Sequence, residues 1–456
     1  MDALTQYLEQ HQDAFLDRLK AVLRIPSIST DPAHVADCAR CAEHIAQDLK
    51  HAGMTRVEVI KTSGHPVVYA EWLGAPGKPT ALVYGHYDVQ PPDPLELWKT
   101  PPFEPQLRDG KLFARGSVDD KGQVYMHLNA VEAHMKVNGR LPVNLKFVIE
   151  GEEESGSDSL EGFLTAHRAR LDADVIVVSD TAMLGPDQPA LTYALRGIMY
   201  TQIDVTGPSQ DLHSGHFGGA VANPANVLSV IIAGLRGADG RVTVPGFYDK
   251  VRPLSPAERE QMRQLPFDEA AYLRESGSPA PAGEQGYSTL ERISARPTLD
   301  VNGMWSGYPG PGAKTVLPAK ASAKVSMRLV ANQDAAELFP DFAAYVRRLT
   351  PAGVTVEVTD LHSCLPFLTT PDHPMLEKAR RALNRAWSKP AAMIREGGSI
   401  PVMATFQKTH GLPSILMGFG LDDDNVHAPN EKFSLSSYFG GTRSVAYLYE
   451  ELAKDA

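Results

Sequence analysis

Thr80-Ala-Leu-Val-Tyr-Gly-His-Tyr-Asp-Val (TALVYGHYDV, residues 80–89) joins an apolar run to a polar turn. Thr80 to Tyr84 is short, apolar and rich in β-formers, so it reads as a buried strand. A histidine and an aspartate follow it directly. A strand alternates its side chains, so His86 and Asp88 point to the same side. An imidazole that binds a metal is commonly oriented by a carboxylate. His86 is therefore a candidate ligand and Asp88 its partner. A surface-loop histidine is the alternative for this segment taken alone.

Other acids and imidazoles lie outward from this stretch, most of them at strand ends. Ala114–Gly122 (ARGSVDDKG) opens a helix read over Asp119–Val137, where an acid could also serve as a plain N-terminal cap. Val143–Glu150 (VNLKFVIE) is a strand that runs into Glu150–Ser157 (EGEEESGS). Three adjacent carboxylates repel one another, which makes such a run costly without a cation nearby. Ala173–Ser179 (ADVIVVS) is a strand followed by Asp180, and Ser414–Phe419 (SILMGF) is one followed by NVHAPNE, residues 425–431. Each segment has a bland reading as a turn or a cap. Their combination matters, because α/β sheets bind ligands beyond the carboxyl ends of their strands. Two histidines with three or four carboxylates suit Zn²⁺ first, with Mn²⁺ or Co²⁺ as alternatives. A carboxylate can bridge two ions, and one further carboxylate must stay off the metal to take a proton from water.

Strands alternating with helices in the first third predict a sheet with helices on both faces. The pattern changes near Leu195. Alternating strands at Ile198–Val205, Ala321–Val330 and Val354–Thr359, with helices at Pro224–Leu235 and Asp334–Leu349, suggest an inserted α+β domain. Residues 246–297 read as a long irregular insertion with one short helix. The expected organisation is a catalytic domain from 1–194 and 364–456, with a lid or dimerisation domain at 195–363 inserted into it. Hinges are expected near 190–197 and 360–366.

The bulk figures exclude several classes. The 456 residues carry 43 % hydrophobic residues and a net charge of −11, without a Lys/Arg-rich run, which argues against a nucleic-acid partner. No apolar run approaches the length of a membrane span. Met1–Arg24 reads as one amphipathic helix and not as a secretory h-region. Cys38 and Cys41 form C-x-x-C inside a helical pattern, without the second pair a zinc site needs. A reducing, cytoplasmic setting is expected.

YGHYDV, ARGSVDDKG, EGEEESGS, SDT, HSGHFGG, REGGSIP and NVHAPNE occur here in the order found in the co-catalytic zinc aminopeptidase-like family. That family includes carboxypeptidase G, aminoacylase, a desuccinylase and the cytosolic non-specific and carnosine dipeptidases. The chain resembles the dipeptidases most, over about Leu4 to Leu452. The resemblance implies a mixed-sheet α/β catalytic domain and two divalent ions per subunit. His86 and Asp180 would ligate one ion, and Glu154 and His427 the other. Asp119 would bridge them, with a cis Asp119–Asp120 peptide. Asp88 would orient His86. The E-E-S-G spacing selects Glu153 as general base. His213 would stabilise the oxyanion, reaching into the partner's active site in a homodimer. Thr315, Arg328, His362 and Ser399 would hold the substrate's C-terminal carboxylate, for which a planar guanidinium is suited. Glu396 shapes its loop or meets the substrate amino group. The implied reaction is hydrolysis of the amide bond of a dipeptide. An N-acyl amino-acid amidohydrolase, deacylase or carboxypeptidase of the same family is the alternative.

Overall fold

The computed structural model describes residues 2–454. The chain forms two compact units. The first contains the chain up to Tyr193, Thr369–Ile394 and everything from Thr405; the second contains Ala194–Leu368 and Arg395–Ala404.

The first unit is built on a mixed sheet. Its strands run in the order Arg56–Ile60, Val67–Trp72, Asn144–Glu150, Thr80–His86, Val175–Val178, Ser414–Leu416 and Ala190–Leu195. The four middle strands, from Asn144–Glu150 to Ser414–Leu416, are mutually parallel. They are mainly apolar runs, broken only by Lys146 within Asn144–Glu150, and all are buried along nearly their whole length. Strands covered on both faces read this way because neither face meets water. Parallel pairing brings all four carboxyl ends to one edge, and the polar segments singled out above follow those ends.

Helix Lys121–Asn138 is buried over most of its length. It packs on the C-terminal helix Leu435–Leu452 through polar pairs set among apolar contacts. Asn129 Nδ2 donates to the Tyr438 hydroxyl at 2.8 Å, and His127 Nδ1 lies 2.9 Å from the Tyr449 hydroxyl. Cys38 and Cys41 are free thiols buried in helix Val35–Ala52. Among the described residues no helix is long and apolar enough to cross a membrane.

The second unit holds a four-stranded antiparallel sheet in the order Thr298–Ser306, Lys320–Leu329, Gly197–Thr206, Thr355–Cys364. Alternation sends Met199, Ile203, Val325 and Met327 to one face. There they meet Leu228 and Ile231 of helix Pro224–Gly234, and Phe342 and Val346 of helix Ala335–Leu349. The opposite face carries Arg328, Tyr200 and His362. Arg395–Ala404 joins this unit through specific bonds. Arg395 Nη2 donates to Glu258 at 2.6 Å, Arg328 Nη1 donates to Ser399 Oγ at 2.9 Å, and Ser399 Oγ donates to the Arg196 carbonyl at 2.6 Å.

Two local expectations are corrected. The N-terminal segment is two helices, Ala3–Gln10 and Gln12–Leu23, rather than one. His11 breaks it: its ring stacks on Tyr7 at 3.8 Å and Nδ1 lies 2.8 Å from the Tyr7 carbonyl. The insertion at 246–297 contains three helices, Pro256–Gln264, Glu269–Ser276 and Thr289–Ser294. The first and third start with capping boxes, Ser255 with Glu258 and Ser288 with Glu291, which satisfy backbone donors that would otherwise fray.

Candidate metal centre

The four parallel strands deliver their polar termini to one locality. His86 is the last residue of its strand, and Glu153–Ser155 forms a single helical turn shortly after Glu150. Asp180 lies two residues beyond Val178, and His427 lies on the loop that follows Ser414–Leu416. Asp119 precedes helix Lys121–Asn138, and the Asp119–Asp120 peptide is cis.

Their ligand atoms form two groups that share one residue. His86, Asp119 and Asp180 offer atoms within 4.8 Å of one another, and so do Asp119, Glu154 and His427. The two oxygens of Asp119 divide between them. Oδ1 lies 3.1 Å from His86 Nε2, and Oδ2 lies 2.9 Å from His427 Nε2. His86 Nε2 is also 3.8 Å from Asp180, and His427 Nε2 is 3.2 Å from Glu154.

The electrostatics show what this arrangement favours. Hydrogen bonds to Asp119 and Glu154 push His427 up to about 10. Burial disfavours a charge on His86, but Asp119 and Asp88 outweigh it and hold its pKa well above the ordinary range. Burial likewise pushes the Asp119 carboxyl up, yet its bonds to His427 and His86 hold it below the usual range. Both imidazoles thus sit where converging carboxylates favour positive charge. The site demands positive charge, and its mixed nitrogen and oxygen donors match the ligand chemistry of divalent ions such as Zn²⁺. Glu153 belongs to neither group. Burial raises it to about 8, with the Asp180, Glu154 and Asp119 carboxylates adding to the rise and His86 opposing it.

Surrounding contacts fix these groups. His86 Nδ1 lies 3.1 Å from the Asp88 carbonyl and 3.4 Å from its carboxylate. The Asp88 carboxylate itself accepts from the backbone N–H of Glu153 at 3.3 Å and of Glu154 at 3.0 Å. Asp88 therefore ties the His86 turn to the glutamate turn as well as facing the imidazole. Gln90 Nε2 donates to Glu154 Oε2 at 2.8 Å. The least anticipated residue is Glu431, the last residue of NVHAPNE. It is fully buried, and its carboxylate accepts from Arg115 and from the backbone leading to Asp119. The acid–base character of both motifs was visible in sequence; the pairing between them was not.

In the second unit Arg328 and Ser399 are in direct contact. His362 lies on the same sheet face as Arg328, with its ring against Tyr200 at 5.3 Å, and is exposed. His213 and Thr315 form a separate neighbourhood: His213 pairs with Val316, and Ser214 N donates to the Thr315 carbonyl at 3.1 Å. No hydrogen bond joins these two to Arg328 among the described residues. His213 is exposed, its Nδ1 accepts from Gly215 N at 3.0 Å, and its ring stacks on His216 at 4.5 Å. Glu396 ends the strand Ala392–Glu396.

A family model described as peptidase family M20/M25/M40 matches residues 82–451. The chain belongs to this family. Its membership accords with the resemblance carried by the seven motifs and with the mixed-sheet fold, and it makes the chain a peptide-bond hydrolase of a class that uses divalent metal ions. The Cys-Gly metallodipeptidase DUG1 of Candida albicans is 34 % identical over 98 % of this chain and 97 % of its own length. The structure of human carnosine dipeptidase 1 aligns with a TM-score of 0.78 at 32 % identity, covering 99 % of this chain and 98 % of its own. A metallo-carboxypeptidase of the family from Sulfolobus solfataricus aligns with a TM-score of 0.81 at 29 % identity, covering 96 % of this chain and 99 % of its own.

Proposed function

We propose that this protein is a metal-dependent dipeptidase that hydrolyses the amide bond of dipeptides bearing a free C-terminal carboxylate. The observation that carries the reading is the division of Asp119 between two donor groups, with Glu153 part of neither but electrostatically coupled to members of both. His86, Asp119 and Asp180 would hold one divalent ion, and Asp119, Glu154 and His427 the other, Zn²⁺ first and Mn²⁺ or Co²⁺ as alternatives. Such a pair of ions, when bound, lowers the pKa of water and polarises a carbonyl.

The chain's own residues do the rest. The Glu153 carboxylate takes the proton of the attacking water and returns it to the leaving amine. Its buried setting raises its affinity for a proton, as suits a base that must hold one between the two transfers near neutral pH. Asp88 fixes the ring of His86 and, through the N–H groups of Glu153 and Glu154, the turn that presents the base. Arg328 and Ser399, with His362, bind the terminal carboxylate, and Thr315 contributes to it from the separate neighbourhood of His213. His213, with an exposed imidazole, donates to the carbonyl oxygen as negative charge develops there, a role worth a few kcal/mol of barrier. We carry a homodimer in which His213 serves the partner subunit, and a cytoplasmic setting, as parts of the same proposal.

The carboxypeptidase relative favours a second reading, removal of one residue from a longer peptide. Both are tested by stripping the protein of metal, re-supplying Zn²⁺ or Mn²⁺, and assaying dipeptides, tripeptides and N-acetyl amino acids beside Glu153→Ala. Metal-dependent cleavage confined to dipeptides, lost in the variant while bound metal is retained, is the expected result. Preference for tripeptides or acylated amino acids would overturn the dipeptidase reading.

A further inference from the structure

A cavity of about 460 Å³ in the second unit is walled partly by the insertion and partly by the sheet face that carries Arg328. Five arginines line it (Arg196, Arg236, Arg292, Arg296 and Arg328) against two acids, Glu284 and Asp300. Glu284 is already engaged. Arg296 binds it through two bonds at 2.7 and 2.9 Å, and Arg241 adds a third at 3.0 Å. Arg292 donates to two backbone carbonyls, Glu284 at 2.8 Å and Ala282 at 3.2 Å. Asp300 accepts from the Thr298 hydroxyl at 3.1 Å.

Among the described residues only Arg296 of the five forms an ion pair; Arg196, Arg236 and Arg328, like Arg292, form none. The bonds of Arg196 and Arg328 go to neutral oxygens of the loop and the insertion. Arg196 Nε donates to the Gly397 carbonyl at 3.0 Å and Nη1 to the Arg292 carbonyl at 3.5 Å, while Arg328 Nη1 donates to Ser399 Oγ. One short segment, Gly397–Ser399, thus grips both guanidiniums at the wall of one cavity. Burial, and next to it the charge of Arg328, lowers Arg196 to about 10. The Asp300 carboxylate opposes this only in part, and an anion placed between the two like charges relieves the rest. One guanidinium fork is enough for one carboxylate. The second guanidinium, offset only in part by Asp300, matches a second carboxylate on the same ligand.

We propose that this cavity receives the side-chain carboxylate of an acidic C-terminal residue, so that dipeptides ending in aspartate or glutamate are the favoured substrates and Arg196 selects them. The inference rests on the reading that Arg328 holds the terminal carboxylate of a dipeptide. It also gives the insertion a role, as the wall that makes the cavity deep enough for a side chain.

Ala-Glu and Ala-Gln have the same shape and differ in one charge, so their kcat/KM ratio isolates the effect. A charge-assisted bond of this kind corresponds to a preference of about tenfold or more for Ala-Glu. Arg196→Gln should lower kcat/KM for Ala-Glu about tenfold more than for Ala-Gln. Equal rates on both peptides in the wild type would overturn the inference. So would an equal fall on both in the variant, because Arg196 would then only support the Gly397 loop. Should the variant fail to fold, product inhibition of the wild type decides. L-Glutamate should inhibit at roughly a tenth of the L-glutamine concentration, and equal inhibition refutes the cavity's selectivity. Cleavage of Ala-Gln without any preference sinks this inference and leaves the dipeptidase reading standing. Cleavage of neither peptide, with neither product protecting the fold against heat, removes both.

Discussion

Replacing Glu431 by glutamine tests whether one buried carboxylate holds the metal centre in shape. Glu431 is fully buried, and its partner Arg115 is 1 % exposed. Oε2 accepts from Arg115 Nη1 at 2.7 Å and from Gly116 N at 2.9 Å; Oε1 accepts from Val118 N at 3.0 Å and from Asp119 N at 3.3 Å. Burial pushes such a carboxyl up, but all four neighbours donate and none accepts, so the ionised form is the one that fits. In Glu431→Gln the amide nitrogen must replace one of the two oxygens. In either orientation it meets two donors, so two hydrogen bonds are lost and the buried guanidinium faces a neutral group. Breaking a buried pair from one side costs about 3–5 kcal/mol, a large part of the 5–15 kcal/mol typical of a folded domain. Asp119 sits at the end of this clamp, so metal affinity should fall as well, by roughly 10–100-fold. Urea unfolding of the metal-free proteins gives the first quantity, and competition with a chromophoric chelator gives the second. A loss below about 1 kcal/mol together with unchanged affinity would refute the clamp, since the neutral amide would then serve as well as the carboxylate.

Chelation of a metal-loaded preparation should lower Tm, because an ion bound at a hundred times its Kd contributes about 2.7 kcal/mol per site; restoration by only one equivalent would contradict a shared Asp119. His127 is buried between Ser179 and Tyr449, and desolvation lowers it to about 3. Its folded pKa therefore lies below the unfolded value of about 6.5. The unfolded chain binds the extra proton in between, so His127 costs stability as pH falls from about 6.5 towards 3 and is neutral above that window. In His127→Gln the urea midpoint should fall less between pH 7 and pH 5 than in the wild type, and parallel curves would exclude the effect. Phe342 is fully buried in the second unit's core, and Phe342→Ala should cost about 3–5 kcal/mol in denaturant unfolding, with a loss under about 1 kcal/mol refuting its place there.

Much of this architecture can be read from residue order. The four parallel strands are legible because each is short and mainly apolar, with a histidine or an acid at its end or on the loop that follows. The alternating strands of the second unit are legible for the opposite reason, since one face holds Met199, Ile203 and Val325 while the other stays polar. What escapes is set by tertiary partners. Arg395–Ala404 lies among C-terminal segments of the first unit, yet Glu258, Arg196 and Arg328 draw it to the second. The helices of the insertion were signalled by Ser255-x-x-Glu258 and Ser288-x-x-Glu291, but the Pro and Gly residues around them masked the periodicity. Strand alternation places Asp88 toward His86. It cannot show that the carboxylate binds the N–H groups of Glu153 and Glu154, because loop donors leave no pattern in sequence.

The place of Ser414–Leu416 in the sheet, between Val175–Val178 and Ala190–Leu195, sets an order of assembly during synthesis. Most of the first unit leaves the ribosome before this strand exists. Until it arrives, Val175–Val178 presents an unpaired apolar edge, the kind that recruits strands from other chains. The same stretch of nascent chain then carries His427 into position. Closing the sheet and completing the second donor group are therefore a single late event. A polypeptide that ends before this strand keeps its exposed edge and holds Asp119 and Glu154 without His427, so the edge that favours aggregation and the incomplete donor group occur together.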